Sequence, residues 1–383
     1  MVGGAVRDFL LNIKSKDFDI ATSATPEDIQ KIFENGIPIG KNFGVIKIPV
    51  KDENKNQSLV EIATFRKDLA YKDYRHPSKV EFSSPEEDAQ RRDFTLNALF
   101  FDLKKNKILD CVNGSEDIEQ KIIRAIGEPR VRFQEDALRL LRAIRFSTRF
   151  EFKIEKQTGE AIQKNSKLIT KISAERIRDE LTLMLKGPRS KDAFLKLMEL
   201  GILRWILPEI ENLPHIKKIE LLEKLYPQRP GHLGWAVLLS PLEVEKVASI
   251  GRKFRLSREE ISLISKMIEE QDKFKEVFKM REATLKRWLL QPGFGDILSL
   301  HQIEALSSDG NLAAYEFCLS QWEKIQGENV PPKLITGDDL IHLGLEPNPQ
   351  FSKIIKFVED LTLEGQIKTK EEALEVVVKH FVK

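Results

Sequence analysis

At 383 residues the chain is too long for one hydrophobic core, so we expect roughly two to four sub-domains. Its 62 Lys and Arg residues nearly balance its 60 Asp and Glu residues, which excludes a strong overall attraction for nucleic acid and leaves only local basic patches. No run of about 18 apolar residues is present and the 2 cysteines form no CxxC pattern, which excludes a membrane span, a disulfide framework and a structural zinc site and predicts a cytoplasmic protein.

The first third of the chain alternates short apolar runs with turns, as an α/β region does. A helix is predicted to begin at Thr25, because threonine is a good N-cap, Pro26 suits the first turn, and Glu27 and Asp28 favour the positive end of the helix dipole. Four runs are predicted strands: Val45 to Val50, Leu59 to Phe65, Ala98 to Leu103 and Ile108 to Val112. We therefore expect a head with helices and a small mixed or antiparallel sheet.

Carboxylates in this region form a candidate metal site. Asp17 and Asp19 are two residues apart in an extended segment, so their side chains should share one face while Phe18 points toward the core. Two hard anionic groups side by side suit Mg²⁺, which usually shares its oxygen ligands with substrate phosphates. Glu61, in an otherwise apolar run, is either a third carboxylate near the metals or an edge-strand charge that faces water.

Two further clusters in the head could bind a nucleotide. The paired glycines Gly3 and Gly4 would let backbone amides approach a triphosphate, and Arg7 could neutralise it. Directly before the predicted strand Ala98 to Leu103, two arginines, a carboxylate and an amide follow one another closely: Arg91, Arg92, Asp93 and Asn97. They form either a surface salt-bridge cluster or a site for the phosphates and sugar of a nucleotide, to which arginine offers forked donors.

From about Glu116 onward the pattern becomes helical, with apolar residues at three- and four-residue spacing. Helices are predicted at three places: Glu135 to Phe146, Ala174 to Lys186 and Lys191 to Leu200. On the first of these, Asp136, Arg139 and Arg142 should share one face, either as an ordinary ion pair or as a binding site. Seven arginines crowd this stretch and are a candidate patch for a polyanion: Arg124, Arg130, Arg132, Arg139, Arg142, Arg145 and Arg149.

Five motifs, in this order, resemble those of the class II nucleotidyltransferases: GGAVRD with KDFDIAT, VEIATFR, RRDFTLNAL, the DCVNG segment and EDALRLLRAIRF. That family contains CCA-adding enzymes, their CC-adding and A-adding relatives, and bacterial poly(A) polymerases. The resemblance covers residues 2–207 and, more loosely, 335–378. It implies an α+β fold in which a nucleotidyltransferase head (1–115) precedes an all-α neck (116–200), body (201–300) and tail (301–383) in an elongated arrangement.

The resemblance also implies a role for each candidate residue. Asp17 and Asp19 match the catalytic, metal-binding carboxylates, and Glu61 matches the glutamate that assists them. The other candidates match nucleotide-binding positions: Gly3, Gly4 and Arg7 at the triphosphate, Arg91, Arg92, Asp93 and Asn97 at the nucleotide and its ribose, and Glu135, Asp136 and Arg139, with Arg142 one turn further on, in a protein template for the base. The implied reaction transfers CMP and AMP from CTP and ATP to the 3′ end of tRNA at a two-metal Mg²⁺ site.

Hydrogen bonding explains how such a template would select a base. A carboxylate only accepts hydrogen bonds and a guanidinium only donates them. Cytosine and adenine each offer an amino donor beside a ring-nitrogen acceptor, so Asp136 could accept from the first while Arg139 donates to the second. Uracil and guanine present the opposite pattern, and each unmatched buried group costs about 1–3 kcal/mol. The sequence therefore predicts selection of CTP and ATP without a nucleic-acid template.

The sequence leaves the choice within the family open. The segment from Phe65 to Pro77 resembles the complete flexible loop of enzymes that add A, and the segment after Ile335 resembles the tRNA-binding tail of CCA-adding enzymes. A poly(A) polymerase is the alternative, since Pro38 to Phe43 partly resembles a polymerase pattern. An inactive RNA-binding relative is a second alternative: family members have a helix and most of a strand before the GG motif, and without that strand we expect an exposed sheet edge and core.

Overall fold

The structure is a computed structural model, and it describes residues 1–15, 18–39, 44–51, 57–71, 77–212, 215–225, 230–325 and 332–382. The chain divides into two compact units. The first contains Met1–Gly234 and Arg252–Arg255, and the second contains Trp235–Gly251 and Leu256–Lys383. Helices predominate, and the strands of the described residues lie in the first unit, so the predicted α+β fold is confirmed.

The first unit contains a four-stranded sheet and three strand pairs. Its described strands are β1 (Asp19–Thr22), β2 (Ile37–Ile39), β3 (Val45–Lys51), β4 (Gln57–Thr64), β5 (Arg66–Tyr71), β6 (Pro77–Phe82), β7 (Leu99–Asp102), β8 (Lys107–Asp110), β9 (Ile122–Ile123) and β10 (Lys153–Ile154). The sheet has the order β1–β4–β3–β2, with β1 parallel to β4 and the other neighbours antiparallel. The four strands predicted from the sequence correspond to β3, β4, β7 and β8 and are confirmed.

The α-helices of the first unit follow and separate these strands. They are α1 (Gly4–Leu10), α2 (Pro26–Ile32), α3 (Pro85–Gln90), α4 (Gly114–Glu119), α5 (Pro129–Glu135), α6 (Arg139–Phe150), α7 (Lys156–Asn165), α8 (Ala174–Leu185), α9 (Ser190–Glu199), α10 (Leu203–Ile206) and α11 (Ile216–Glu223). Short 3₁₀ helices lie at Thr95–Asn97, Ser166–Lys171 and Pro208–Ile210. Thr25 caps α2 as predicted, since its hydroxyl accepts the backbone N–H of Asp28 at 3.3 Å.

The helix predicted from Glu135 to Phe146 is wrong in one respect. It is two helices, α5 and α6, and Asp136 lies between them with φ −142° and ψ 102°. The Asp136 carboxylate accepts the backbone N–H of Leu138 at 3.0 Å, a local bond that competes with continued helix. Asp136 and Arg139 therefore do not occupy one continuous helical face.

Side-chain alternation gives the mixed sheet one buried and one exposed face. Ile46, Ile48 and Ile62 lie on the buried face and form a core with Ile29 of α2. On the other side of the head, Val2 forms antiparallel bridges both to Asp19 and to the strand β7. Residues from the first few positions thus join β1 to the β7–β8 pair, and the buried Val2 belongs to the core of the head.

The segment predicted as a flexible loop, residues 65–77, is partly strand. β5 and β6 pair antiparallel, with Arg66 opposite Phe82 and Lys67 opposite Glu81, and residues 72–76 lie outside the described residues. Residues 66–71 of this segment therefore form a strand and not a loop, and their pairing partner β6 begins at Pro77, the last residue of the segment. The hairpin starts directly after β4, so it extends from the mixed sheet.

The rest of the described chain is helical. Its α-helices are α12 (Gly231–Leu239), α13 (Val244–Lys253), α14 (Arg258–Glu269), α15 (Glu282–Leu289), α16 (Phe294–Ser307), α17 (Ala313–Ile325), α18 (Gly337–His342), α19 (Gln350–Leu363) and α20 (Lys370–Phe381), with a 3₁₀ helix at Glu270–Lys279. Ile335, Leu340, Ile354, Val358 and Val377 form the core of its last segment. No helix among the described residues combines the length and apolarity needed to cross a bilayer.

Candidate active site

An open pocket of about 430 Å³ in the first unit brings together residues from distant parts of the chain. Many of its lining residues are candidates from the sequence: Gly3, Gly4, Arg7, Asp19, Arg91, Arg92, Asp93, Asn97, Asp136, Arg139 and Arg142. The remainder are Arg66, Asp68, Leu138, Phe146 and Arg176. Because seven arginines outnumber four aspartates in this lining, the pocket favours an anionic ligand.

Asp19 lies at the start of β1, next to the central strand of the mixed sheet. Its register partner on β4 is Glu61, whose partner on β3 is Lys47, so the three side chains form a row on one face. The Lys47 ammonium lies 2.6 Å from Glu61, and the hydrogen bond and charge of Glu61, with a smaller effect of Asp19, raise the pKa of Lys47. Since β4 is an interior strand, the edge-strand interpretation of Glu61 is wrong.

Asp17 and Phe18, which precede Asp19, were both assigned positions from the sequence. Asp17, the other predicted carboxylate, lies outside the described residues. Phe18 is 52% exposed, so the prediction that it points into the core is wrong. The sheet begins only at Asp19, and Phe18 therefore precedes the strand pairing that would direct it inward.

The row of Asp19, Glu61 and Lys47 offers two carboxylates to a divalent cation. Among the described residues no group of three His, Cys, Asp or Glu side chains forms a metal site. Asp19 and Glu61 nevertheless present two carboxylates on one face, and Lys47 already occupies part of that face as a cation. Hard oxygen donors of this kind suit a divalent metal, and Asp17 would have to supply any third carboxylate.

Gly3 and Arg7 line the same pocket as Asp19. Gly3 precedes α1 with a φ of +66°, a conformation that favours glycine, and a side chain there would approach a guanidinium nitrogen of Arg92 to 3.1 Å. The buried Arg7 donates twice to Asp8, at 2.8 and 2.6 Å, and once to the side-chain oxygen of Asn97, at 2.5 Å. Burial lowers the pKa of Arg7, although the charge of Asp8 opposes this shift.

Arg91 and Arg92 share one buried carboxylate, that of Asp88. Arg91 donates to Asp88 Oδ1 at 2.9 and 2.7 Å, and Arg92 donates to Oδ2 at 3.0 and 2.9 Å. The same Oδ1 accepts the backbone N–H of Arg66 at 3.2 Å. The two arginines therefore do form salt bridges, but with the buried Asp88 instead of Asp93, and they line the pocket instead of a surface cluster.

Asp93 joins the head to helix α6. Its Oδ2 accepts from Arg142 at 2.7 Å, and its Oδ1 accepts from the side-chain amide of Asn97 at 3.1 Å. Burial alone would raise the pKa of Asp93, but the charge of Arg142, the Asn97 hydrogen bond and the charge of Arg139 outweigh it and lower the pKa to about 2. Asp93 is therefore a firmly ionised group inside the pocket.

Asp136 is held from the opposite direction by helix α8. Arg176 donates to its two oxygens at 3.1 and 2.8 Å, while the backbone N–H of Leu138 donates at 3.0 Å. A carboxylate has about four acceptor positions, so one position remains for a ligand. The break between α5 and α6 thus presents an oriented acceptor at the pocket.

Arg139, the neighbouring donor, is fixed by three acceptors. One nitrogen donates to the carbonyl of Arg132 at 3.2 Å and to Glu135 at 3.0 Å, and the other terminal nitrogen donates to the carbonyl of Arg91 at 2.9 Å. Two of the five guanidinium N–H groups are left for a ligand. Glu135 also accepts from Arg132 at 2.8 Å, so it holds Arg139 although it is not itself among the described residues that line the pocket.

The stretch of seven arginines is not the exposed patch that the sequence suggests. Five of them pair with carboxylates of the protein: Arg124, Arg132, Arg139, Arg142 and Arg145. Within the stretch, Arg139 and Arg142 line the pocket. The other five arginines are not among the described residues that line the pocket.

Four residues of the site were missed by the sequence reasoning: Arg66, Asp68, Asp88 and Arg176. Asp88 precedes Arg91 and Arg92 by three and four residues, a spacing that could have shown the pairing within one helical segment. Arg176 lies 40 residues from Asp136, so no local pattern could have identified it.

Three family models match successive parts of the chain. Residues 1–124 match the model of the Poly A polymerase head domain. Residues 151–213 match "Probable RNA and SrmB-binding site of polymerase A", and residues 229–378 match tRNA nucleotidyltransferase domain 2. The head match contains Asp19, Glu61 and Lys47 and all three predicted triphosphate residues, Gly3, Gly4 and Arg7.

Several proteins similar to this chain are named CCA-adding enzymes. The CCA-adding enzyme of Lactobacillus helveticus is 31% identical over 98% of this chain and 91% of its own length, and that of Lactococcus lactis subsp. cremoris (strain MG1363) is 32% identical over 99% and 91%. The CCA-adding enzyme of Bacillus stearothermophilus in complex with CTP superposes with a TM-score of 0.81 at 28% identity, covering 99% of this chain and 92% of that one. Thermotoga maritima CCA-adding enzyme complexed with tRNA shares the fold, with a TM-score of 0.65 at 22% identity over 99% and 90%.

Proposed function

Because the chain belongs to the family of CCA-adding enzymes, we propose that it adds CMP and AMP from CTP and ATP to the 3′ end of tRNA without a nucleic-acid template. The oxygen of the RNA 3′-hydroxyl, after losing its proton, bonds to the α-phosphorus of the nucleotide. The bond between that phosphorus and the bridging oxygen breaks, and pyrophosphate leaves. The observation that carries the proposal is the single pocket that gathers the candidate triphosphate, ribose and base residues.

The triphosphate would bind on the arginine side of this pocket. Arg91 and Arg92 are held by Asp88, and their remaining N–H groups are available to phosphate oxygens. Arg7 is more enclosed and already paired with Asp8, so we assign it to fixing Asn97 beside the nucleotide. The ribose would lie near Asp93 and Asn97, which the motif resemblance associates with the sugar.

The base would be read at the break between α5 and α6. Asp136 retains an acceptor position and Arg139 retains two N–H donors, a pair that matches the amino group and ring nitrogen of cytosine or adenine. Glu135 contacts Arg139, and we assign to it the orientation of that guanidinium. Selection by protein side chains requires this rigidity, because a mobile template would adapt to uracil as well.

Nucleotidyltransferases of this family use divalent metals, and we propose Mg²⁺ for this chain. Asp17 and Asp19 would hold it, with Glu61 beside Asp19 in the sheet. When bound, Mg²⁺ would favour ionisation of the RNA hydroxyl and neutralise charge on the departing pyrophosphate. The protein's own contribution is the row that sets Asp19 beside Glu61. We place the reaction in the cytoplasm, in agreement with the cysteine usage.

A primer-extension assay tests the proposal directly. Purified protein with Mg²⁺ is given tRNA ending before CCA, tRNA ending in CC, or an oligo(A) primer, each with CTP, ATP or both. We expect addition that stops after CCA on the first substrate. Addition of A to the CC-ended tRNA alone would identify an A-adding enzyme.

Two other outcomes would contradict the proposal. Long tails on oligo(A) with ATP would indicate a poly(A) polymerase, the activity named in the head-domain match. Tight tRNA binding without product at any Mg²⁺ concentration would indicate a relative that only binds RNA. Omitting Mg²⁺, or replacing it with Ca²⁺, provides the control for metal dependence.

A further inference from the structure

Asp88 is the most enclosed carboxylate in contact with the pocket arginines. It lies on α3 and is only 1% exposed, and it is not among the described residues that line the pocket. Each of its oxygens accepts a fork from one guanidinium, Oδ1 from Arg91 and Oδ2 from Arg92. A buried carboxylate that binds two cations leaves a positive charge uncompensated, and the pocket is where these arginines are accessible.

The geometry of the forks determines which donors remain. Each arginine uses Nε and one terminal nitrogen on Asp88, which leaves three of its five N–H groups. Arg92 directs one of these to the carbonyl of Asn97 at 3.3 Å, and Arg91 lies 3.8 Å from Asp68. Asp88 therefore fixes the planes of both guanidiniums from behind while their free edges meet the pocket. Without it, two like charges on neighbouring residues would repel and separate.

The same carboxylate also anchors the start of the β5–β6 hairpin. Asp88 Oδ1 accepts the backbone N–H of Arg66 at 3.2 Å, and the Arg66 carbonyl accepts from Arg91 at 3.1 Å. Arg66 is the first residue of β5, and its side chain lines the pocket. One buried group thus connects both arginines and the root of the hairpin.

We propose that Asp88 is a positioning residue that holds Arg91 and Arg92 in the orientation required to bind the nucleotide triphosphate. This inference rests on the proposed function, because it assigns the pocket arginines to the phosphates. The proposal predicts that loss of Asp88 weakens the binding of both nucleotides, since CTP and ATP carry the same triphosphate. It predicts little effect on base choice, because Asp136 and Arg139 keep their own partners.

Asp88→Asn is the variant that tests the proposal. Asparagine keeps one oxygen for Arg66 and Arg91 but turns an amide donor toward Arg92 and removes the charge. We expect KM and the dissociation constant for CTP and for ATP each to rise about tenfold or more, while kcat at saturation falls less than about threefold. The readouts are steady-state addition to tRNA and calorimetric binding of CTP without RNA.

Asp117→Asn is the matched control for the loss of a buried Asp–Arg pair. Asp117 is 3% exposed, pairs with Arg124 at 3.0 Å and accepts from Thr95 at 2.7 Å, and it is not among the described residues that line the pocket. It should lower the melting temperature as Asp88→Asn does, yet leave KM within about twofold of the parent. An equal rise in KM in both variants would overturn the proposal, because the effect would then reflect stability alone.

A double-mutant cycle addresses whether Asp88 acts through Arg92. In an Arg92→Gln background, Asp88→Asn should raise KM by much less than it does alone. Full additivity, or a change confined to one nucleotide, would overturn the proposal. If Asp88→Asn does not fold, Asp88→Glu keeps the charge but displaces the arginines, and an unchanged KM in that variant would overturn it equally. Absence of any product with the parent protein, but intact CTP binding that Asp88→Asn weakens, would count against the proposed function and not against this role.

Discussion

The carboxylate row, formed by Asp19, Glu61 and Lys47, and the base-reading side of the pocket, formed by Asp136, Arg139 and Arg176, differ in how far the protein neutralises its own charges. In the row, one lysine contacts Glu61 on an exposed sheet face. On the base-reading side, Asp136 and Arg139 each have two or more partners within the protein, and Arg176 donates to both oxygens of Asp136.

The difference follows from what each region would have to do. A metal and a triphosphate bring their own charge, so a site for them must leave carboxylates open. A base is neutral and is recognised only by hydrogen bonds. A template must therefore hold its donors and acceptors in fixed positions, which requires side chains that cannot turn away. Substitution in the row is therefore expected to leave stability nearly unchanged and abolish the reaction, whereas substitution on the base-reading side is expected to alter nucleotide choice more than turnover.

Asp19→Ala should produce the largest loss of rate, and it tests most directly whether the row can lose its chemistry without losing stability. We expect the rate of single-turnover addition to fall about a thousandfold or more, because the substitution removes a proposed metal ligand. Stability should change by less than about 0.5 kcal/mol, since the side chain is exposed. Rapid-quench kinetics and urea unfolding measure the two quantities. Asp28→Ala, an exposed aspartate of α2, is the matched control, and a comparable rate loss there would contradict the assignment.

Arg139→Ala should affect nucleotide choice more than turnover. The ratio of kcat/KM for CTP to that for UTP should fall about a hundredfold, because the donor that uracil cannot satisfy is gone. Arg145→Ala is the control: Arg145 is a buried arginine of the same helix that pairs with Glu180 at 2.6 Å. It should lower stability and leave the ratio unchanged. Equal losses with CTP, ATP and UTP in Arg139→Ala would contradict a template role.

Part of this architecture follows from sequence alone. The period-two runs predicted β3, β4, β7 and β8, and the Thr25 cap predicted the start of α2, because these signals are local. The hairpin β5–β6 was missed, since its first strand, RKDLAY, carries charges at three positions and shows no clear apolar alternation. Its stability comes from pairing, which lies outside a local window.

The candidate site divides in the same way. Motif order indicated Asp19, Arg91, Arg92, Asp136 and Arg139, and their catalytic or binding roles remain predictions. The register that sets Asp19 beside Glu61 joins strands about 40 residues apart, and no pattern in either strand specifies it. Likewise, no local pattern identifies Arg176 as the partner of Asp136. Long-range pairing fixes the orientation of these groups, whereas sequence spacing indicates only their identity.

The contribution of Asp93 to the free energy of unfolding should depend on pH. Its pKa is lowered to about 2 in the folded protein, so its stabilising effect is present above the unfolded value of about 4 and is lost as pH falls through about 2. Asp93→Asn should therefore be less stable than the parent by roughly 2 kcal/mol near neutral pH, and the difference should shrink below about pH 4. Urea unfolding of both proteins across this range is the measurement, and a difference independent of pH would contradict ionic pairing with Arg142.

Lys47→Met should have the smallest effect and tests whether the row is open to a cation. Lys47 contacts Glu61 at 2.6 Å and therefore competes with any divalent metal for that carboxylate. Removing the ammonium should lower the Mg²⁺ concentration that gives half-maximal addition by about two- to threefold, a small change because the face is solvent-screened. Lys31→Met, which breaks a similar exposed pair with Asp28, is the control and should leave the Mg²⁺ midpoint unchanged. A higher midpoint in Lys47→Met would mean that the lysine assists the substrate and does not stand in for the metal, and the row would then resemble the base-reading side in supplying its own counter-charge.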